Sequence, residues 1–91
     1  MISSRVIIVN RLGLHARAAA KFIKIAKSYS CAIRIGRADD LELVDGKSIM
    51  RLMTLVAETG TVLVLETEGQ QEQSAHDALT ELIENKFWES E

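Results

Sequence analysis

Residues 10–22, "NRLGLHARAAAKF", place a histidine and an arginine, His15 and Arg17, directly before an alanine-rich run. From Ala16 onwards the apolar residues recur at helical spacing, and this period is lost around residues 28–30. The segment therefore predicts a helix that begins at Ala16 and has His15 as its N-cap or immediately beside it.

Four short runs of β-branched and aliphatic residues predict strands on either side of this helix. The first covers residues 6–9, and an almost continuous apolar run at residues 61–67 predicts a central strand. Residues 32–35 and 41–44 flank the turn sequence "GRADD" and predict a hairpin. Alternation along these runs predicts inward-facing side chains at Val6, Ile8, Ile33, Ile35, Leu41 and Leu43.

Two further helices follow from the apolar pattern. Ser48 opens an apolar stretch that is too irregular for a strand, so we expect a short helix with Ser48 as its N-cap. A longer stripe predicts a terminal helix and consists of Ala75, Ala78, Leu79, Leu82, Ile83 and Phe87. The order β-α-β-β-α-β-α predicts a two-layer α/β sandwich.

The length of 91 residues suits one hydrophobic core, so we expect a single domain over residues 1–91. No stretch approaches the roughly 20 apolar residues of a membrane span, and the first residues lack the apolar region of a signal peptide. We therefore expect a cytoplasmic protein with no membrane partner.

The lone Cys31 excludes an internal disulfide, and one cysteine with two histidines is too few for a structural zinc site.

Charge is distributed unevenly along the chain. The net charge of -2 and the pI near 5.7 argue against nucleic acid as the main partner, because phosphate binding leaves a basic footprint. Residues 1–37 nevertheless contain eight basic side chains and no acid, whereas residues 38–91 contain three basic and thirteen acidic side chains. We expect this asymmetry to persist on the folded surface.

The predicted start of the first helix is suited to binding an anion. The first N–H groups of a helix, here those of residues 16–18, have no partner within it, and the peptide dipoles place about half a positive charge there. The same field disfavours a protonated imidazole, so we expect a neutral, nucleophilic ring at His15. Arg17 offers a planar fork of donors that matches phosphoryl oxygens. The pair predicts a group that accepts and holds a phosphoryl group.

An exposed polar pair with no function is the alternative for His15 and Arg17. Gly13 and Leu14 favour a site, because glycine permits close approach of the backbone and Leu14 can anchor the turn in the core. His76 lies among acidic residues near the start of the terminal helix, and we expect a solvated surface histidine. We expect Cys31 to be a small core or strand-edge residue.

The motif "GLHAR", residues 13–17, followed by an alanine-rich helix, resembles the phosphohistidine motif of the HPr family. This family provides the phosphocarrier of the bacterial phosphoenolpyruvate-dependent phosphotransferase system. Residues 46–55, "GKSIMRLMTL", resemble the second signature of the family. The resemblance implies an open-faced sandwich whose antiparallel sheet has the order 1-4-2-3, with three helices on one face.

The resemblance also implies a function. His15 is expected to accept a phosphoryl group on Nδ1 from phospho-enzyme I and to pass it to an EIIA-type domain, with Arg17 stabilising the group. The protein would be a monomeric, stoichiometric carrier rather than an enzyme, and would need no cofactor. Ala18 stands where the family usually has proline; alanine permits the helix and adds an N–H donor. "NRLGLHAR" does not distinguish the sugar branch of the system from the nitrogen-related branch.

A partner surface and a regulatory site are predicted beside the phosphorylation motif. The expected docking residues are Lys24, Lys27, Ile49, Met50, Arg51 and Met53. Methionines suit a surface that must fit several partners, although the apolar residues could instead belong to the core and the lysines could pair with the acidic terminal helix. In some HPr proteins a dedicated kinase phosphorylates the serine of this motif. Ser48 is therefore either a helix cap alone or a cap and a phosphorylation site.

Two other classes of function compete with the phosphocarrier. A regulatory binding module of the same fold would dock to a kinase or transcription factor and transfer nothing; an altered histidine would be its signature, and His15 is present. A small enzyme would need a convergent acid, base and nucleophile, and the sequence shows no such set. We therefore rank the phosphocarrier first.

Overall fold

The computed structural model describes residues 1–40 and 42–89. Its regular elements in chain order are β1 (Ile2–Ile7), α1 (Ala16–Lys27), β2 (Ala32–Arg37), β3 (Val44–Asp45), α2 (Ile49–Met53), β4 (Val62–Glu68) and α3 (Glu72–Glu84). A short 3₁₀ turn, Lys86–Trp88, follows α3. The predicted order β-α-β-β-α-β-α is confirmed.

The four strands form one antiparallel sheet in the order β1-β4-β2-β3. β4 lies between β1 and β2, with Leu65 opposite both Ser4 and Ile35. The run with the strongest β-propensity is therefore a central strand, as predicted, because such a strand is shielded on both edges. The sheet order that the family resemblance implied is confirmed.

The three helices cover one face of the sheet and enclose the core. Alternation along β4 buries Leu63 and Leu65 beneath the helices, and α1 contributes Phe22 from its apolar stripe. Val6, Ile8, Ile33 and Ile35 are buried as predicted, and Cys31 is a buried core residue. No helix within the described ranges is long and apolar enough to span a bilayer.

The first and last residues of the strands differ from the predicted ones. β1 begins four residues earlier than predicted and ends at Ile7, although the N–H of Ile8 still donates to the Thr61 carbonyl at 3.0 Å. β3 is only two residues long. Before it, the N–H of Glu42 donates to the Asp40 carboxylate at 3.2 Å. Leu41 lies outside the described residues, and Leu43 is half-buried.

Phe87 reaches the core by a route that the helical stripe did not predict. α3 ends at Glu84, and the following Lys86, Phe87 and Trp88 have φ of 58°, 55° and 58°. The Phe87 ring at this left-handed turn lies in the core, where it is fully buried. The prediction that Phe87 belongs to the helix was wrong, because helical spacing cannot detect a side chain delivered by a turn.

Candidate functional site

The N-terminus of α1 presents N–H donors that lack partners within the helix, and His15 is its N-cap, as predicted. His15 has extended backbone angles (φ −78°, ψ 176°), and its side chain makes no capping hydrogen bond. The carbonyl of His15 accepts the N–H of Ala19 at 2.8 Å. The N–H groups of Ala16, Arg17 and Ala18 therefore have no partner within the helix, and no acidic residue lies in its first turn.

The loop before His15 is fixed by its neighbours. Gly13 has a φ of +71°, and a Cβ on it would lie only 2.5 Å from the carbonyl oxygen of Ala57. The next residue, Leu14, is buried and donates its N–H to that same oxygen at 2.8 Å. Glycine is thus required for the close approach, and Leu14 anchors the turn so that His15 is presented at the helix end.

The His15 ring is held by a carboxylate from the opposite end of the chain. His15 Nε2 lies 2.6 Å from Oε2 of Glu89, and Nδ1 has no hydrogen-bond partner among residues 1–40 and 42–89. An ionised carboxylate can only accept, so Nε2 must carry the proton that it donates to Glu89. In the neutral ring, Nδ1 then carries the lone pair and is the nucleophilic atom.

Glu89 is itself held in its ionised form. Burial of the carboxyl raises its pKa, but hydrogen bonds from His15 and Asn10, together with the charges of His15 and Arg17, outweigh this effect and lower the pKa overall. Asn10 Nδ2 donates to Glu89 Oε1 at 2.8 Å, and the Glu89 side chain is only 10% exposed. Sequence reasoning missed both residues, since Glu89 is 74 positions from His15 and no local pattern joins them.

Arg17 is accessible beside the ring. Its side chain is 71% exposed, and Nη2 lies 3.6 Å from Glu89 Oε2, which is ion-pair contact without a hydrogen bond. A weak surface contact of this kind leaves the guanidinium able to turn towards an incoming anion. The structure therefore brings His15, Arg17 and three backbone donors that lack partners within the helix together at one helix end.

The N-terminus of α2 is capped, as predicted. The Ser48 hydroxyl accepts the N–H of Arg51 at 3.3 Å. Leu52 is buried, while Ile49, Met50 and Met53 are 43%, 78% and 41% exposed. The alternative that these three apolar side chains belong to the core is therefore wrong, because a helix of five residues has only one side against the protein.

The lysines of α1 divide into two kinds. Lys21 Nζ donates to the carbonyl oxygen of Phe87 at 2.7 Å, so its ammonium ties α1 to the C-terminal turn. Lys24 and Lys27 are exposed, and within the described part of the chain neither forms an ion pair with the acidic side chains of α3. The charge of these two lysines remains available to a partner.

Comparison with known proteins identifies the family. A model described as "PTS HPr component phosphorylation site", where PTS denotes the phosphotransferase system, matches residues 2–85. The chain belongs to the HPr family. It is 54% identical to the phosphocarrier protein HPr of Pseudomonas aeruginosa and 45% identical to that of Neisseria meningitidis serogroup B, in each case over 91 residues and the full length of both chains.

Solved HPr structures share the fold. The structure of HPr-C-His from Thermoanaerobacter tengcongensis superposes with a TM-score of 0.92 at 40% identity and covers all of both chains. HPr from Bacillus anthracis gives a TM-score of 0.84 at 34% identity and covers 90% of this chain and 95% of its own. Family membership assigns the chain to the HPr phosphocarriers, as its two motifs implied.

The other histidine is placed differently from the prediction. His76 Nε2 lies 2.6 Å from the Ser4 hydroxyl, and its side chain is only 13% exposed, so it links α3 to β1 and is not solvated. Asp77 is 3.9 Å from Nδ1, too far for a hydrogen bond, so Ser4, His76 and Asp77 do not form a hydrogen-bonded triad. Among the described residues, no group of three or more His, Cys, Asp or Glu side chains could hold a metal ion.

Proposed function

We propose that the chain accepts a phosphoryl group on His15 Nδ1 from phospho-enzyme I and transfers it to an EIIA-type domain. The observation that carries this proposal is the His15 ring at the N-terminus of α1, with Nε2 bound to Glu89 and Nδ1 without a hydrogen-bond partner among the residues that the structure describes. A nucleophilic nitrogen at a helix N-terminus meets a phosphoryl group where the backbone attracts negative charge.

The residues around Nδ1 would stabilise the transferred group. The N–H groups of Ala16, Arg17 and Ala18 can donate to its oxygens, and the exposed guanidinium of Arg17 can approach the same oxygens as a fork. Phosphoryl transfer depends on positioning and charge stabilisation more than on covalent assistance, so two proteins can share the work across an interface. The chain therefore acts as a stoichiometric carrier, not an enzyme, and uses no cofactor beyond the phosphoryl group derived from phosphoenolpyruvate.

Partners would dock beside His15 on the surface formed by α1 and α2, which pack against each other. Its basic part is Lys24, Lys27 and Arg51, and its apolar part is Ile49, Met50 and Met53, all of them exposed. Basic residues steer acidic partners, and flexible methionines can fit the different surfaces of a donor and an acceptor. The protein would work as a monomer in the cytoplasm.

Ser48 would add regulation by an HPr kinase/phosphorylase. A phosphate at the N-terminus of α2 is compatible with the helix dipole, so the fold would survive. About two negative charges beside the exposed Ile49 and Met50 would repel the acidic partners that the lysines attract. Phosphorylation of Ser48 would thus weaken docking without unfolding the carrier.

The test is a reconstituted relay. Incubation with phosphoenolpyruvate and enzyme I should give one acid-labile, alkali-stable phosphoryl group per chain, located on His15 by peptide mapping. Labelled protein should then donate to a panel of sugar-branch and nitrogen-branch EIIA domains, and the fastest acceptor identifies the branch. Absence of labelling, or labelling with no transfer to any acceptor, would favour the regulatory binding module.

A further inference from the structure

The segment after α3 contains a carboxylate that contacts the loop before α1. Glu89 Oε2 is 2.6 Å from His15 Nε2, and Glu89 Oε1 accepts a hydrogen bond from Asn10 at 2.8 Å. The first contact joins residues 74 positions apart. Both oxygens of the carboxylate are therefore engaged by groups of the loop that presents His15.

The backbone before Glu89 is held in an unusual conformation that delivers this side chain. Lys86, Phe87 and Trp88 all have positive φ, which L-residues rarely adopt in succession. Burial of the Phe87 ring and the hydrogen bond from Lys21 Nζ to the Phe87 carbonyl fix the turn. Left-handed residues persist where surrounding contacts determine them, and such places are often functional.

Asn10 holds the Glu89 carboxylate and the loop before His15 through the same side chain. Asn10 is fully buried, and Nδ2 donates to Glu89 Oε1 and to the carbonyl of Gly13, both at 2.8 Å. Both of these partners are acceptors, so the amide must present its NH₂ group to them. One buried side chain thus holds both Glu89 and the glycine that precedes Leu14 and His15.

We propose that Glu89 is a positioning residue for phosphoryl acceptance, which holds the His15 proton on Nε2 so that Nδ1 keeps its lone pair for the phosphoryl group. This inference rests on the proposed function, in which Nδ1 is the acceptor atom. The arrangement matches the general role of a carboxylate behind a reactive imidazole, which fixes the tautomer and stabilises the charge that develops on the ring.

The step balances without a proton leaving the ring. The Nδ1 lone pair forms the bond to phosphorus, while the bond from phosphorus to the donor's leaving atom breaks and its electron pair stays with the donor. Nε2 keeps its proton, so the ring gains positive charge, and the Glu89 carboxylate beside Nε2 stabilises it. The two nitrogens point to different edges of the ring, so the phosphoryl group approaches Nδ1 from the edge away from Glu89.

The experiment compares wild type with Glu89→Ala and, as a matched control, Glu84→Ala. Glu84 is an exposed acid at the end of α3, and its removal changes the net charge equally. ¹⁵N–¹H correlation spectra of His15, recorded where the ring is neutral, report the tautomer without any phosphoryl transfer. Rapid-quench labelling by phospho-enzyme I reports the rate of acceptance, and thermal melts establish that each variant is folded.

We expect the wild type and Glu84→Ala to have the proton on Nε2. In Glu89→Ala the Nδ1–H tautomer should gain population, and acceptance should slow about tenfold, the low end of the loss seen when a carboxylate partner of a metal-bound histidine is removed. A structural role alone would change the melting temperature and leave the tautomer unchanged.

The two proposals fail in different ways. A wild-type protein that enzyme I does not label overturns the proposed function, whatever the spectra show. A wild-type protein that is labelled, with Glu89→Ala equal to it in both tautomer and rate, overturns the role of Glu89 and leaves the phosphocarrier function intact. Slow acceptance with an unchanged tautomer also overturns it, because the loss would then come from another cause.

Discussion

The N-termini of α1 and α2 both have four N–H groups without helical partners, and they satisfy them differently. The Ser48 side chain caps α2 by accepting the N–H of Arg51, whereas His15 occupies the N-cap position of α1 without a side-chain hydrogen bond. A cap of the serine type stabilises a helix by about 1 kcal/mol. The N-terminus of α1 lacks that stabilisation, and its first N–H groups have no side-chain cap.

The length and packing of the two helices explain why α1 is stable without a side-chain cap bond and α2 has one. α1 has twelve residues and buries Ala18, Ala19, Phe22 and Ala26, so tertiary packing stabilises it without a cap. α2 has five residues and buries only Leu52 among them, so its cap is a larger share of its stability. A helix end without a side-chain cap bond is therefore tolerated where the buried apolar face is large, and His15 lies at that end.

The largest expected effect comes from removing the His15 side chain at the N-terminus of α1. We predict that His15→Ala abolishes labelling by phospho-enzyme I, because the nucleophilic nitrogen is lost, while the fold remains. His76→Ala is the matched control, since that histidine is bound to Ser4 on another surface and should leave labelling intact. Persistent acid-labile phosphate in His15→Ala would contradict the mechanism.

The next test places a negative charge at the N-terminus of α2. We predict that Ser48→Asp keeps the cap, since aspartate is as good an N-cap as serine, and slows acceptance by roughly tenfold, about 1.4 kcal/mol, through repulsion of an acidic partner. Labelling kinetics and melting temperature should be measured together.

Ser48→Ala separates charge from capping in the same assay. It should lower the free energy of unfolding by about 1 kcal/mol with little change in rate. Acceptance by Ser48→Asp at the wild-type rate would mean that Ser48 is only a cap, a result that kinase-treated protein should then reproduce.

The lysines along α1 should attract acidic partners, so the rate of acceptance should depend on salt. We predict that acceptance slows as ionic strength rises from 0.1 to 1 M, because the Debye length falls from about 10 Å to about 3 Å. The double variant Lys24→Gln/Lys27→Gln should be slower at low salt and less sensitive to it. Arg5→Gln, at an exposed position of β1, is the control. A wild-type rate independent of salt, with chemistry shown not to be limiting, would argue against steering.

Removing the N–H of Ala18 from the N-terminus of α1 should have a small effect on stability. Ala18 is the third residue of α1, so its N–H has no partner in the helix. We predict that Ala18→Pro folds, accepts phosphate and loses far less stability than the roughly 3 kcal/mol of an interior proline. Chemical denaturation measures the change. A loss near 3 kcal/mol would show that the N–H of Ala18 makes a bond that the fold needs.

Acid should weaken the contact that holds His15. The lowered pKa of Glu89 means that the contact stabilises the protein above the ordinary glutamate pKa of about 4.3, and that this contribution disappears as pH falls through the lowered value. We expect Glu89→Ala to be less stable than wild type at pH 7 by about 1 kcal/mol or less and to match it at low pH. A difference that persists well below the ordinary glutamate pKa would contradict this sign.

Local sequence patterns determined a large part of this protein. The start of α1 at Ala16, the caps at His15 and Ser48, the central strand and the apolar face of α3 all follow from spacing, because helices and strands have fixed periods and caps require particular side chains. The order of the strands came from the family resemblance and was confirmed by the structure. The roles of His15, Arg17 and Ser48 stay predictions that the experiments above address.

Only the tertiary structure decided which distant groups meet at and around the site. Glu89 approaches His15 because a left-handed turn and a buried Phe87 redirect the chain after α3, and no periodic pattern encodes a turn of that kind. His76 is bound to Ser4 because α3 packs against β1, although its acidic neighbours in sequence predicted a solvated side chain. Spacing reports contacts within one element, whereas contacts between elements depend on how the elements pack together.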